Sequence, residues 1–211
     1  MFDENIIKDK SMLSTYFIRF TIVYCCIIFG IVTTAFAEQT DSLLQSFNME
    51  RISIQQKGMQ TLGLWALSNI AIGTYASFST SGERKAFWQM NAGWNIINAG
   101  IAGLGYFNQT MPNSLSGTIH EQQSIETILA VNAGLDIAYI LGGLYLTEKS
   151  KTSEQSELLR GFGNAIMLQG AFLFVFDAVL FAVNAHHGKD LHNILQSVNI
   201  SQQGIGFNIT F

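Results

Sequence analysis

The stretch Gly161-Phe-Gly-Asn-Ala-Ile-Met-Leu-Gln-Gly-Ala-Phe-Leu-Phe-Val-Phe-Asp-Ala-Val-Leu-Phe-Ala-Val-Asn-Ala185 decides the fold. It exceeds the ~20 residues an α-helix needs to cross the ~30 Å hydrocarbon core of a bilayer. One ionisable residue, Asp177, interrupts it, and it lacks the strict alternation of a barrel strand. Three further segments of this kind precede it, at 61–78, 86–107 and 127–146. Together they predict an all-α protein, an integral membrane four-helix bundle over residues 61–186. Trp88, Tyr106 and Tyr145 sit toward segment ends, where interfacial aromatics are expected.

Composition agrees. Charged residues make up 12% of the 211, about half the usual quarter. Apolar residues reach 48%, and mean hydropathy is +0.26. These figures exclude a disordered chain, a nucleic-acid binder working through basic patches, and an ordinary charge-coated soluble enzyme. The expected partner is the lipid bilayer, with a homo-oligomer or another membrane protein as a further one.

Residues 1–37 read as a signal peptide. Lys8, Lys10 and Arg19 precede an apolar run from Phe20 to Phe36, which ends in Ala35-Phe36-Ala37 before Glu38. That is the n-region, h-region and A-x-A order of a secretory signal. A start at Met12 would give a more usual length, and an uncleaved anchor is the alternative. Both cysteines, Cys25 and Cys26, lie in this run, so a cleaved chain has no disulfide, thiolate nucleophile or cysteine metal site.

Basic residues suggest the orientation. The loops after the first and third segments carry Arg84, Lys85, Lys149, Lys151 and Arg160. The opposite side carries Arg51, Lys57 and Lys189. The positive-inside rule puts the first two loops in the cytoplasm. A cleaved signal also places the mature N-terminus outside, so both termini are expected on the periplasmic side of a bacterial inner membrane. Residues 38–60 are expected as an outer-face pre-segment with poor periodicity, lying at the interface. Residues 187–211 are expected as a polar tail, with Gly188 ending the last helix and an extended alternation from Ile205 to Phe211.

A local echo links Asn91-Ala-Gly-Trp-Asn95 with Asn132-Ala-Gly-Leu-Asp136. Each sets polar groups at i and i+4, on one helix face. Shared composition is favoured over a duplicated helix pair, because a repeat needs a longer self-similar period than this.

The stretch 59–184 also resembles a known family. The residues carrying the resemblance are Leu62-Gly-Leu-Trp65-Ala-Leu-Ser-Asn69-Ile-Ala-Ile-Gly73, Met90-Asn-Ala-Gly-Trp-Asn95, Gly134-Leu-Asp136-Ile-Ala-Tyr139 and Leu168-Gln-Gly-Ala-Phe-Leu-Phe-Val-Phe-Asp177. It is similar to a domain-of-unknown-function family of small multi-span membrane proteins from the Bacteroidota. The resemblance implies a membrane-embedded helical protein and supplies no activity, substrate or cofactor.

Polar residues inside the apolar segments are the candidate functional groups: Asn69, Asn91, Asn95, Asn98, Asn132, Asp136 and Asp177. Counted along their segments, all four helices bring an amide or carboxyl to a similar depth. Asp177 lies about 6 Å outward of its segment's centre at 1.5 Å per residue. A carboxylate at mid-membrane costs ~3 kcal/mol even on the lenient insertion scale. Each aspartate must therefore point into the bundle, accept hydrogen bonds from asparagines, or hold its proton. No lysine or arginine lies at that depth to pair with them.

Two readings follow. In one, amides and carboxyls hold the helices together beside close-packed glycines, and the protein is a non-enzymatic accessory or assembly component. In the alternative, Asp136 and Asp177 serve a proton- or cation-coupled transporter or channel subunit, with Asn69, Asn95 and Asn98 as neutral oxygen ligands. A membrane enzyme is a third reading. It would use a metal held by His186, His187, Asp190 and His192, with His120 on the same outer face, but close helical ligand spacing is missing. No catalytic, cofactor-binding or metal-ligand residue is assigned.

Overall fold

The computed structural model describes residues 4–202. Four helices account for most of them: α1 (Glu4–Ser79), α2 (Gly82–Phe107), α3 (Leu115–Lys149) and α4 (Ser156–Gln202), with a 3-10 turn at Ser150–Thr152. No strand occurs among the described residues, and the alternation expected at 205–211 lies outside them. Two compact units divide the chain, Met1–Leu43 with Gln196–Phe211, and Leu44–Leu195. The first is helical wherever described and stacks Phe20 on Tyr24 at 6.5 Å. The second holds all the candidate residues.

Short connections make chain neighbours antiparallel. Only Thr80 and Ser81 separate α1 from α2, and Gly82 takes the left-handed φ of +60° that this tight turn requires. Pro112 precedes Ser114, whose Oγ accepts the Gly117 N–H at 3.2 Å and caps α3. Glu83 ties the starts of α2 and α4 together, accepting from Asn164 Nδ2 at 3.0 Å and lying 3.5 Å from Arg160 Nε. The α1–α2 and α3–α4 connections therefore share one end of the bundle. At the other end Arg51 of α1 donates to the Thr110 carbonyl, in the α2–α3 connection, at 2.7 Å.

Small residues let the backbones approach. A Cβ built on Gly143 of α3 would sit 2.6 Å from the Gly163 carbonyl oxygen of α4. Gly73 of α1 meets α2 in the same way, its Cβ position 2.9 Å from the Trp88 carbonyl oxygen. Between α1 and α4 the contact is made by side chains: Trp65 stacks on Phe172 with ring centres 3.8 Å apart. Such seams are common where helices pack without a hydrophobic driving force between them.

The distribution of polarity is inverted relative to a water-soluble bundle. Asn91, Asn95, Gln169 and Asn184 are fully buried, whereas Phe78 and Phe107 are 86% and 82% exposed. Leu64, Leu104, Val131 and Val175 also point outward. α3 and α4 are each long and apolar enough to cross a membrane. α2 is less apolar on average because Asn91, Asn95 and Asn98 lower its mean, yet all three are buried, and its outward face carries Ile96, Ile97, Ile101 and Leu104.

Two boundary expectations are corrected. Gly188 does not end the last helix, because α4 continues to Gln202. The glycine serves close approach instead: a Cβ there would lie 2.9 Å from Glu126 Oε1 and 3.1 Å from Gln122 Nε2 of α3. The tail expected from residue 187 is thus helical to 202, with Leu191 and Ile194 buried. The boundary expected at residue 60 is absent as well: 38–60 is continuous with α1, and from Leu44 onward it buries Asn48, Arg51 and Gln55.

Candidate functional site

The asparagine stripe of α2 follows from helical geometry, since positions 91, 95 and 98 stand at i, i+4 and i+7 on one face. That face is turned inward, and its amides bond chiefly to one another. Asn91 Nδ2 donates to Asn69 Oδ1 at 2.8 Å, and Asn69 Nδ2 donates to the Trp65 carbonyl at 2.8 Å. Gln169 of α4 closes the circuit. Its Nε2 donates to Asn91 Oδ1, and its Oε1 accepts from Trp65 Nε1 at 3.1 Å. Asn95 donates back to the Asn91 carbonyl at 2.8 Å, and Asn98 to Asn95 Oδ1 at 3.3 Å. These bonds join α1, α2 and α4.

The aspartates form a separate constellation. Asp136 of α3 and Asp177 of α4 are 3% and 6% exposed, and their carboxyls adjoin each other. Two adjacent buried carboxyls disfavour joint ionisation, so the pair favours keeping at least one proton. Its close approach depends on Gly170, which brings the α4 backbone against Asp136. One oxygen, Asp136 Oδ2, is buried without a hydrogen-bond partner.

Both aspartates line a cavity of about 420 Å³. Asn98, Asn132 and Gln55 contribute amides to its wall, and Trp94, Tyr139 and Phe176 contribute rings. Trp94 of α2 meets Tyr139 of α3 edge to face at 4.9 Å. Ile97 and Ile101 of α2 and Ile128 and Leu135 of α3 also line the cavity and are exposed, so its rim is apolar and faces outward between α2 and α3.

The candidate residues thus divide. Asp136, Asp177, Asn98 and Asn132 meet around the cavity, Asn132 being half-buried. Asn69, Asn91 and Asn95 belong to the amide circuit, with Asn98 bridging the two groups. Of the amides expected around the carboxyls, Asn98 lines the cavity with them, while Asn69 and Asn95 are engaged in the amide circuit.

A third polar cluster lies toward the end of the bundle that holds the α2–α3 connection. Arg51, 1% exposed, donates to Asn48 Oδ1 at 3.3 Å and lies 3.9 Å from Glu121. Burial lowers the Arg51 pKa from its ordinary value, and the charge of Glu121 opposes that shift. Asn48 donates to Thr118 Oγ1 at 2.8 Å, and Gln55 to Asn184 Oδ1 at 2.7 Å. Sequence reasoning missed Asn48, Arg51 and Gln55 as interior groups. Their signal was polar residues at i, i+3 and i+7, a stripe recognisable only if the interior is polar.

His187 is buried in the same region. Its ring stacks on Phe47 with centres 4.1 Å apart, and its Nε2 lies 3.1 Å from the Phe47 carbonyl oxygen. This ring serves packing, and the described residues bring together no group of three His, Cys, Asp or Glu side chains able to hold a metal.

No curated protein and no solved structure matches the chain. A family of unknown function, DUF6992, matches residues 61–178, from the last part of α1 past Asp177. That match covers more than half of the chain, and the protein belongs to this family.

Proposed function

We propose that this is a non-enzymatic integral membrane protein of the bacterial inner membrane, whose four helices enclose a proton- and cation-binding site at Asp136 and Asp177. The observation that carries the reading is the pair of buried carboxyls, Asp136 and Asp177, that line one cavity, with Asp136 Oδ2 lacking a hydrogen-bond partner. The amide circuit meets its needs among its own members, whereas an unmet buried polar group, as at Asp136 Oδ2 and at Gln122 Oε1, costs about 1–3 kcal/mol. Two buried carboxyls on the wall of one cavity suit a site that takes up and releases a proton or a cation. This favours the transporter or channel-subunit reading over that of an accessory or assembly component, and leaves interhelical adhesion to the amides.

The outward apolar surface supports the membrane setting. The expected orientation gains support from Arg51, whose charge is buried, so the exposed basic residues lie mostly at the end holding the α1–α2 and α3–α4 connections.

Thermal unfolding of the full chain in non-ionic detergent tests the site, from pH 5 to 9 with sodium, potassium, calcium or no added salt. Wild type should lose stability as the pair gives up its proton, since two adjacent carboxylates repel. An added cation should restore it, because a ligand that binds only the folded state stabilises that state. Asp136→Asn and Asp177→Asn should show neither response. Wild-type curves indifferent to pH and cation would overturn the proposal.

A further inference from the structure

The chemistry of the cavity deepens this reading by indicating its occupant. We propose that the Asp136–Asp177 cavity binds a monovalent organic ammonium with an apolar body, which enters from the bilayer between α2 and α3. The inference rests on the proposed site.

Three observations carry it. First, size: about 420 Å³ lies within the range of small-molecule pockets, ~300–1,000 Å³. Calcium, by comparison, takes six to eight close oxygen ligands. Second, the wall. Trp94, Tyr139 and Phe176 present rings near the acid pair, and the remaining lining is mostly isoleucine and leucine. Aromatic faces attract quaternary and protonated amines, while aliphatic walls desolvate a hydrocarbon body. Third, charge: two carboxyls line the cavity, no lysine, arginine or histidine among the described residues does, and Asp136 Oδ2 has no hydrogen-bond partner. One bound cation offsets the charge that the pair takes up on ionising.

The route follows from the rim. Ile97, Ile101, Ile128 and Leu135 are exposed and apolar, so the opening faces the hydrocarbon region of the surface rather than a polar end of the bundle. A hydrated metal ion would cross such a rim at high cost. An ammonium with an apolar body partitions into lipid beside it.

The test uses the full chain in non-ionic detergent and titration calorimetry. Its probes are benzyltrimethylammonium, its uncharged carbon analogue neopentylbenzene, and sodium chloride. Benzyltrimethylammonium should bind saturably at one per chain and the neutral analogue at least tenfold more weakly. Asp136→Asn and Asp177→Asn should each weaken the charged probe by tenfold or more. Trp94→Leu, which leaves both carboxyls in place, should weaken it about fivefold while sparing the pH response of thermal unfolding. Carboxyl-dependent sodium binding with none of the organic cation would overturn this inference and leave the proposed function standing. Equal binding of both organic probes, unaffected in either Asn variant, would likewise overturn this inference, and thermal curves indifferent to pH and cation would overturn both.

Discussion

A Cβ built on Gly170 of α4 would lie 2.9 Å from the carbonyl oxygen of Asp136 on α3, so the two backbones touch at the level of the acid pair. The next neighbours, Ile140 Cγ1 and N at 3.0 and 3.1 Å, are hardly freer to yield. Gly170→Ala should therefore separate the helices and cost about 1–3 kcal/mol in reversible unfolding. Gly134→Ala supplies the control, since nothing lies within 4 Å of its Cβ position. It should be neutral or stabilising by about 0.5–1 kcal/mol. Equal effects of the two would contradict the close seam.

Asn184 is fully buried and serves two neighbours: its Oδ1 accepts from Gln55 and its carbonyl from Gln122, at 2.7 and 2.8 Å. Asn184→Leu strands the Gln55 amide and should cost about 1–3 kcal/mol. Gln55→Leu with Asn184→Leu should cost less than the sum of the single changes. A double-mutant cycle measures the difference, and strict additivity would mean the bond contributes nothing.

Val175 is 60% exposed near the middle of the 161–185 segment. On a water-soluble bundle, Val175→Lys would be near neutral. Within a bilayer it should cost about 3 kcal/mol and reduce the membrane-integrated fraction. Carbonate-resistant pelleting of wild type and variant decides the matter. An unchanged variant would argue against the membrane setting.

Arg51 bonds to Asn48 Oδ1 and the Thr110 carbonyl from a fully enclosed position. Arg51→Met keeps much of its volume and removes both bonds. The expected loss is about 2 kcal/mol or more, given ~1.5–3 kcal/mol for hydrogen bonds to charged groups. Faster proteolysis within the 108–114 connection should accompany it, since that connection loses its tie to α1.

The helices of the bundle were legible because their apolar runs are long, and the α2 stripe because Asn91, Asn95 and Asn98 share one helical face. The depth argument also marked Asp136 and Asp177 as inward-facing. Their mutual contact was not legible, since it depends on the rotation of α3 against α4, which Gly143, Gly163 and Gly170 set by approach distances no spacing rule contains. The polar lining of 48–55 was hidden for another reason. Reading a segment by its apolar face assumes that the interior is apolar, and here Asn48, Arg51 and Gln55 mark the inside. Gly188 misled in the same manner: a glycine after a helical run suggests a C-cap, whereas its missing side chain makes room for Gln122 and Glu126.

The Gly143–Gly163 contact and the Trp94–Tyr139 contact make the bundle mechanically unequal around its circumference. Between α3 and α4, backbone lies on backbone, and a displacement of even an ångström would drive main-chain atoms together. Between α2 and α3 the ring contact of Trp94 with Tyr139 borders the cavity. The bundle is bound like a book, with its spine at α3–α4 and its pages meeting at α2–α3. On the proposed reading, an occupant entering there parts Trp94 from Tyr139 while the spine, and the two carboxyls set on it, stay where they are.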